Sequence, residues 1–244
     1  MISKGQMKLV RQLETKRHRQ REGLFVAEGP KVLGDLMNAG YRAVNIFATA
    51  DWLAANEVAG NCQEVTGDEL RKLSFLQHPQ QVLAVFPIPA PDHPAMPSPL
   101  ILALDGVQDP GNLGTIIRIA DWFGITQIVC SPDTADAWSP KVVQATMGSI
   151  ARVDIVYTNL KEYLNTSTLP IYGTMLDGKD IYRQELPDRA IIVMGNEGNG
   201  ISQEIRQLIS RRLLIPPFRQ GAESLNVAIA TAITCSEFCR RQAR

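Results

Sequence analysis

Residues that would build a disulfide framework or a metal centre are scarce in this chain. It holds four cysteines, with no Cys-x-x-Cys pair, and three scattered histidines. This pattern argues against a disulfide scaffold or a zinc site and predicts reduced thiols in a cytoplasmic protein without a metal. Apolar runs long enough to cross a bilayer are also missing, and no apolar segment follows the charged N-terminus. We therefore expect neither a membrane span nor a signal peptide.

A net charge is missing as well, which argues against a general nucleic-acid coat. The chain has 25 basic and 25 acidic residues, but residues 1–22 hold seven cations against two carboxylates, a local balance of +5. Such a basic arm can neutralise the phosphates of a nucleic acid. A solvated and partly frayed terminus is the alternative, and the cluster by itself slightly favours it.

A proline-rich stretch divides the chain in two. Residues 87–99 carry six prolines in thirteen positions, and proline disfavours both helices and central strands. The stretch is typical of a stiff linker. We predict a small domain over residues 1–86, a linker over 87–99 and a larger domain over 100–244.

Both halves alternate short apolar runs with helical stretches, which indicates the α/β class. The first half has predicted strands over 24–27, 44–48 and 81–86, and predicted helices over 29–39, 51–59 and 66–73. Thr66 and Glu69 match a capping box. The second half has apolar runs over 100–104, 127–130, 153–156, 171–175, 191–194 and 213–215. Buried runs separated mostly by helices predict a mostly parallel sheet.

The first of three polar motifs is Asn112-Leu113-Gly114-Thr115-Ile116-Ile117-Arg118, after a turn-rich loop. Asn112 is a suitable N-cap for a helix that stops at Gly124. Arg118 lies roughly 140° around this helix from the start of its apolar stripe. It is therefore predicted either to face the ligand crevice of a parallel sheet or to pair with a carboxylate such as Asp121 on the surface.

The second motif is the run from Val193 to Ser202, with the order Gly195-Asn196-Glu197-Gly198-Asn199-Gly200 at its centre. Its glycines reverse the dinucleotide pattern and follow a late strand, so a nicotinamide-dependent dehydrogenase is a poor interpretation. Glycines still allow a backbone to approach a ligand closely. Glu197 is a candidate for orienting a ligand or a partner's cation, and a plain surface loop is the alternative.

The third motif joins Ile215-Pro216-Pro217-Phe218 to a helix that opens with Ser224-Leu225-Asn226. Ser224 has a strong structural interpretation as the N-cap of that helix. Asn226 gains nothing from helix propensity at an otherwise apolar helix start. We expect its amide to hold a ligand or a neighbouring loop.

Together and in this order, the three motifs resemble the signature of the SpoU (TrmH) group of SPOUT RNA methyltransferases, over residues 112–230. The resemblance implies an α/β fold whose C-terminal domain has a mostly parallel sheet and a deep trefoil knot that binds S-adenosyl-L-methionine. The stretch Phe25-Val26-Ala27-Glu28-Gly29 is similar to the small α/β RNA substrate-binding domain that precedes many such catalytic domains.

The resemblance also implies the site residues. The polar positions that match the family's active site are Asn112, Arg118, Glu197, Ser224 and Asn226. The positions that match its cofactor pocket are Thr174, Met175, Leu176, Gly195, Asn196, Gly198, Ile215, Pro217, Ser224 and Leu225. No metal ion is expected in this site.

The expected activity is methylation of a ribose 2′-hydroxyl in ribosomal or transfer RNA, because only RNA has that hydroxyl. A non-catalytic RNA-binding relative with the same fold is the alternative. A homodimer through the C-terminal domain is also expected. The last helix is apolar nearly all round and needs cover on two sides, and the resemblance implies the same pairing.

Overall fold

The computed structural model describes residues 2–57, 60–90, 98–219 and 224–242. Contacts divide the chain into two units, Met1–His93 with Asp136–Ala151, and Pro94–Ala135 with Arg152–Arg244. Most of the predicted linker, residues 91–97, lies outside the described residues. The domain boundaries proposed from the sequence stay a prediction.

The first unit contains a four-stranded sheet in the order β1-β4-β2-β3, in which β4 runs antiparallel to both of its neighbours. The capping box at Thr66 is confirmed, since its hydroxyl accepts from the Glu69 N–H at 3.2 Å. The short strand β3 escaped prediction because it holds three residues with little apolar character. The elements up to residue 90 are α1 (Lys4–Gln12), α2 (Lys16–Glu22), β1 (Leu24–Glu28), α3 (Pro30–Asn38), β2 (Asn45–Ala48), α4 (Ala50–Ala55), β3 (Cys62–Glu64), α5 (Gly67–Leu73) and β4 (Val82–Pro87).

The basic N-terminal residues form two packed helices, so the interpretation as a frayed terminus is wrong for residues 2–22. A capping box between Ser3 and Gln6 starts α1. Val10 and Leu13 are buried in one apolar cluster with residues of α5, β1, β2 and β4. Charged positions between these apolar residues hid the helices from the sequence pattern.

The second half of the chain alternates strands and helices as predicted. Its described strands and α-helices belong to the second unit except α7, which belongs to the first. They are β5 (Leu100–Asp105), α6 (Pro110–Trp122), β6 (Gln127–Cys130), α7 (Pro140–Ala145), β7 (Asp154–Tyr157), α8 (Leu160–Thr166), β8 (Ile171–Asp180), β9 (Ala190–Gly195), α9 (Gln203–Arg206), β10 (Arg211–Leu214) and α10 (Val227–Gln242).

The segment that carries α7 packs within the first unit. The ring of Trp138 lies 4.8 Å from that of Phe25 on β1, measured between ring centroids. The guanidinium of Arg19 on α2 donates two hydrogen bonds to the carboxylate of Asp136. Arg19 is 2% exposed, so one cation of the basic arm serves the fold of this unit.

The second unit is built on a six-stranded sheet in the order β10-β8-β9-β5-β6-β7, and its strand pairings are parallel. This confirms the predicted mostly parallel sheet. One sheet face packs on α8 and α9 through an apolar cluster that includes Ile101, Val193 and Leu164. Strand β8 is longer than predicted, and its pairing with β10 shifts register between Arg212 and Leu213. Within the described ranges, none of the helices is both long enough and apolar enough to cross a membrane.

Candidate functional site

The candidate site lies where the strand order of the parallel sheet reverses. From β5 the chain continues to β6 and β7 on one side, whereas β9, β8 and β10 lie on the other. Loops that follow the two strands at such a switch point diverge and leave a crevice at the carboxyl edge of the sheet. Here they are residues 106–109, which lead into α6, and residues 196–200, which hold the second motif.

Glu197 joins these two loops. Its carboxylate accepts hydrogen bonds from the backbone N–H groups of Gln108 and Asp109, both at 3.1 Å, and from the side-chain amide of Asn112 at 3.0 Å. The second motif therefore fixes the start of α6, across almost 90 residues of chain.

Two opposing effects set the charge of Glu197. Partial burial raises the pKa of its carboxyl. The hydrogen bonds from Asn112 and from the backbone of Glu197, Gln108 and Asp109 lower this pKa, and together they outweigh the effect of burial. The net pKa lies below the ordinary value for glutamate, so the carboxylate stays ionised at neutral pH.

The glycine loop is shaped by close backbone contacts and by Asn196. A Cβ on Gly195 would lie 2.3 Å from the carbonyl carbon of Gly200, which itself has a φ of +68°. The Asn196 side chain donates to the carbonyl of Gly106 at 2.7 Å and accepts from the N–H groups of Gly198 and Asn199. These contacts explain Gly195, Asn196 and Gly200 without any ligand.

Both helix caps at the site differ from the prediction by a few residues. Asp109 caps α6 by accepting from the N–H of Asn112 at 2.8 Å, which places Asn112 inside the first turn. Asn226, and not Ser224, caps α10, because its side-chain oxygen accepts from the N–H groups of Ala228 and Ile229 at 2.9 and 3.3 Å. Ser224 lies exposed two residues earlier.

Hydrogen bonds between side chains bring three predicted site residues together. The Asn226 amide donates to the side-chain oxygen of Asn112 at 2.9 Å, and Asn112 donates in turn to Glu197. The expectation that Asn226 holds a neighbouring loop is met by this contact. The C-terminal ends of α6 and α10 also meet, since the thiol of Cys239 on α10 lies 3.9 Å from the carbonyl of Phe123 at the end of α6. The two helices therefore run side by side.

Arg118 is exposed on α6, off the buried stripe of Leu113, Ile116 and Ile117, as the helical spacing predicted. The alternative pairing with Asp121 is not among the ion pairs of the described residues, in which Asp121 pairs with Arg152 at 2.7 Å. Arg118 has no ion pair with any residue that the structure describes. Its guanidinium is therefore available to a ligand or a partner.

A cavity of about 670 Å³ opens beside this network. Ser224 and Glu197 line it, whereas Asn112, Arg118 and Asn226 are outside its lining. Its walls come from β8, the glycine loop, the end of β10 and the start of α10. All ten residues predicted for the cofactor pocket line it, namely Thr174, Met175, Leu176, Gly195, Asn196, Gly198, Ile215, Pro217, Ser224 and Leu225.

Sequence reasoning missed two charged residues of this cavity, Asp177 and Arg206. Arg206 donates to the Asp177 carboxylate at 2.8 Å. The two are 29 positions apart, on β8 and α9, so no local pattern joins them. The usable signal was that Asp177 directly follows the predicted pocket residue Leu176.

Comparisons with known proteins identify the family of each part of the chain. The model of the SpoU rRNA Methylase family matches residues 99–236, and the model of the MRM3-like substrate binding domain matches residues 4–84. A Bacillus subtilis relative, 23S rRNA (guanosine(2553)-2′-O)-methyltransferase RlmP, is 31% identical over 230 residues, which cover 91% of each chain.

Solved structures give the same result. A protein of the TrmH family of RNA methyltransferases from Porphyromonas gingivalis has a TM-score of 0.91 at 43% identity, over 99% of both chains. An AdoMet-bound rRNA methyltransferase from Sinorhizobium meliloti has a TM-score of 0.87 at 30% identity, over 99% of this chain and 97% of that one. Since the family model spans more than half of the residues, the protein belongs to the SpoU rRNA methylase family.

Proposed function

We propose that this protein transfers a methyl group from S-adenosyl-L-methionine to a ribose 2′-hydroxyl of ribosomal RNA, in the cytoplasm. The observation that carries the proposal is the cavity lined by β8, the glycine loop, the end of β10 and the start of α10, beside the Asn226–Asn112–Glu197 network. Related proteins of nearly the same length are rRNA 2′-O-methyltransferases. This family relationship favours ribosomal over transfer RNA.

The cavity fits the cofactor in size and chemistry. Pockets for small ligands commonly enclose about 300–1,000 Å³ and are mostly apolar with a few polar groups. Met175, Leu176, Ile215 and Leu225 supply apolar walls for an adenine ring. The loops at Gly195 and Ile215 offer backbone groups for its edge. We also propose that the chain threads these loops through the trefoil knot of the family.

The cofactor supplies an electrophilic methyl group on a sulfonium. The protein has to hold the ribose oxygen in line with it, and such ordering can provide a large part of a rate enhancement. Ser224 lies at the cavity wall, and Asn112, Asn226 and Glu197 fix the neighbouring helix starts. We assign these four residues to positioning the nucleotide and the loops around it.

Arg118 is assigned to the negative charge that develops on the 2′-oxygen, or to the adjoining phosphate. A preorganised cation at such a charge stabilises the transition state. Arg118 is exposed and stands outside the cavity lining, so we propose that it acts at a site shared between two copies of the chain. The exposed Leu225 and Ile229 at the start of α10 support a homodimer through the C-terminal domain.

The test is methyl transfer to ribosomal RNA from cells that lack the protein, followed by mapping of 2′-O-methyl groups. One new ribose methylation, made by the purified protein and absent from RNA of the deletion cells, is expected. Methylation of a base, or none at all by a protein that binds S-adenosylhomocysteine, would contradict the proposal. The second outcome would favour the non-catalytic RNA-binding alternative.

A further inference from the structure

The charges of the cavity are arranged in two separate groups. Three charged side chains line it within the described residues, Asp177, Glu197 and Arg206. Glu197 belongs to the network at the start of α6. Asp177 and Arg206 form an ion pair contributed by β8 and α9. Among the described residues that line the cavity, Arg206 is therefore the one with a cationic side chain.

Together with Arg212, this ion pair carries one net positive charge. A single oxygen of Asp177, Oδ2, accepts from Arg206 at 2.8 Å and from Arg212 at 2.9 Å. Two guanidinium groups therefore share one carboxylate. A guanidinium has five N–H donors, and within the described residues Arg206 uses one of them, toward Asp177. Its remaining donors are available to an anion.

The proposed cofactor has one anionic group, the carboxylate of its methionine part, beside a sulfonium and an ammonium. Like charges close together repel each other, so this carboxylate is disfavoured near the ionised Glu197. A guanidinium matches a carboxylate in both charge and geometry. The side chain of Arg206 is 32% exposed, which leaves it accessible while part of it is shielded from water.

We infer that Arg206 binds the carboxylate of the cofactor's methionine part and that Asp177 holds the guanidinium in position. The inference rests on the proposed function, because it assumes S-adenosyl-L-methionine in this cavity. In this role Arg206 determines specificity, because it allows the protein to prefer the intact cofactor over analogues without a carboxylate. Arg212 shares Asp177 but stands outside the cavity lining, so it is assigned no contact with the cofactor.

The experiment compares two ligands on three proteins. S-adenosyl-L-methionine and its decarboxylated analogue are titrated calorimetrically into the unmodified protein, Arg206→Leu and Arg212→Leu. A charge-assisted hydrogen bond at a partly exposed site corresponds to about a tenfold change in affinity. We expect Arg206→Leu to weaken binding of the intact cofactor about tenfold and binding of the decarboxylated analogue less than twofold.

Arg212→Leu is the matched control, since it removes the same charge and one contact to the same carboxylate. It is expected to leave the preference of the protein for the intact cofactor unchanged. If Arg206→Leu lost affinity equally for both ligands, or lost affinity for neither, the inference would be overturned. If Arg206→Leu does not fold, Arg206→Lys serves instead, with a smaller loss that is again confined to the intact cofactor. Failure of the unmodified protein to bind either ligand would contradict the proposed function itself.

Discussion

The side-chain amide of Asn226 donates a hydrogen bond to the side-chain oxygen of Asn112 at 2.9 Å, between residues 114 positions apart. Asn226 caps α10 with its other side-chain atom, and Asn112 passes the connection on to Glu197. Asn112 donates once and accepts once, whereas the Asn226 oxygen accepts from two backbone N–H groups. This series of hydrogen bonds runs in one direction, from Asn226 through Asn112 to Glu197. The effect of a substitution at Asn112 on activity therefore has a predictable sign.

Replacement of Asn112 by aspartate should harm catalysis more than replacement by alanine. Alanine removes two hydrogen bonds, and we expect kcat/KM for methyl transfer to fall about tenfold. Aspartate also places a second carboxylate against Glu197, and we expect kcat/KM to fall about 100-fold. Steady-state methyl transfer to ribosomal RNA measures both. An aspartate variant as active as the alanine variant would show that no such repulsion exists.

The pKa of Glu197 should respond to the same residue. Asn112 donates to the ionised form, and hydrogen bonds to an ionised carboxylate lower its pKa. In Asn112→Ala we expect the pKa of Glu197 to rise. The lowered pKa in the folded protein contributes stability above the ordinary glutamate pKa, and this contribution is lost as pH falls through the folded value. Carbon-detected NMR titration of the carboxyl measures the shift, and an unchanged pKa in the variant would contradict the assignment.

Arg118→Ala should abolish methyl transfer and leave cofactor affinity within about twofold, because the residue is exposed and stands outside the cavity lining. Arg152→Ala is the matched control, since Arg152 is an exposed arginine that pairs with Asp121 on the same helix. It should retain activity. Calorimetry and methyl-transfer assays on both variants decide the matter, and a large loss of cofactor affinity in Arg118→Ala would indicate a different role.

The sequence predicted the site better where its signals are local. The strand ends, the glycine loop and the stop of α6 at Gly124 follow from residue types that act on their own backbone. The cap of α10 was misassigned because Ser224 and Asn226 are both good caps two positions apart, and tertiary contact with Asn112 distinguishes them. The pair of Asp177 and Arg206 joins separate elements, so periodicity could not predict it.

The basic N-terminal residues gave a further ambiguity that only packing resolved. Arg19 is buried and donates to the carbonyls of Leu13 and Glu14, both at 2.7 Å, as well as to Asp136. Its neighbour Arg17 is exposed. The two arginines look equivalent in a charge pattern, because composition does not reveal which cation is buried against a carboxylate.

Arg19→Met should therefore destabilise the first unit strongly. The change leaves two carbonyls and the Asp136 carboxylate, which is 14% exposed, without their partner. Breaking a fully buried ion pair in this way costs about 3–5 kcal/mol, which is the upper bound for this largely buried pair. Arg17→Met, on the same helix, should change the free energy of unfolding by less than about 0.5 kcal/mol. Urea denaturation of the full chain measures both. Equal unfolding midpoints for the two variants would mean that the pair with Asp136 contributes little.

The exposed apolar face at the start of α10 leads to the last prediction. Ile229 is 51% and Leu225 49% exposed, while Val227, Ala228 and Phe238 are buried within the unit. Apolar side chains left on one face of an otherwise buried helix are a common basis for a symmetric interface. We expect a dimeric mass at micromolar concentration, measured by light scattering.

Ile229→Glu should shift this protein to the monomer, because the carboxylate would have to be buried without a partner at the interface. Val44→Glu is the control, since Val44 is an apolar residue of similar exposure in the first unit, at 43%. It should leave the mass unchanged. If Arg118 acts across the interface, Ile229→Glu should also lose methyl transfer while its melting temperature stays near that of the unmodified protein. A monomeric mass for the unmodified protein, or a dimer that survives Ile229→Glu, would rule out this face as the interface.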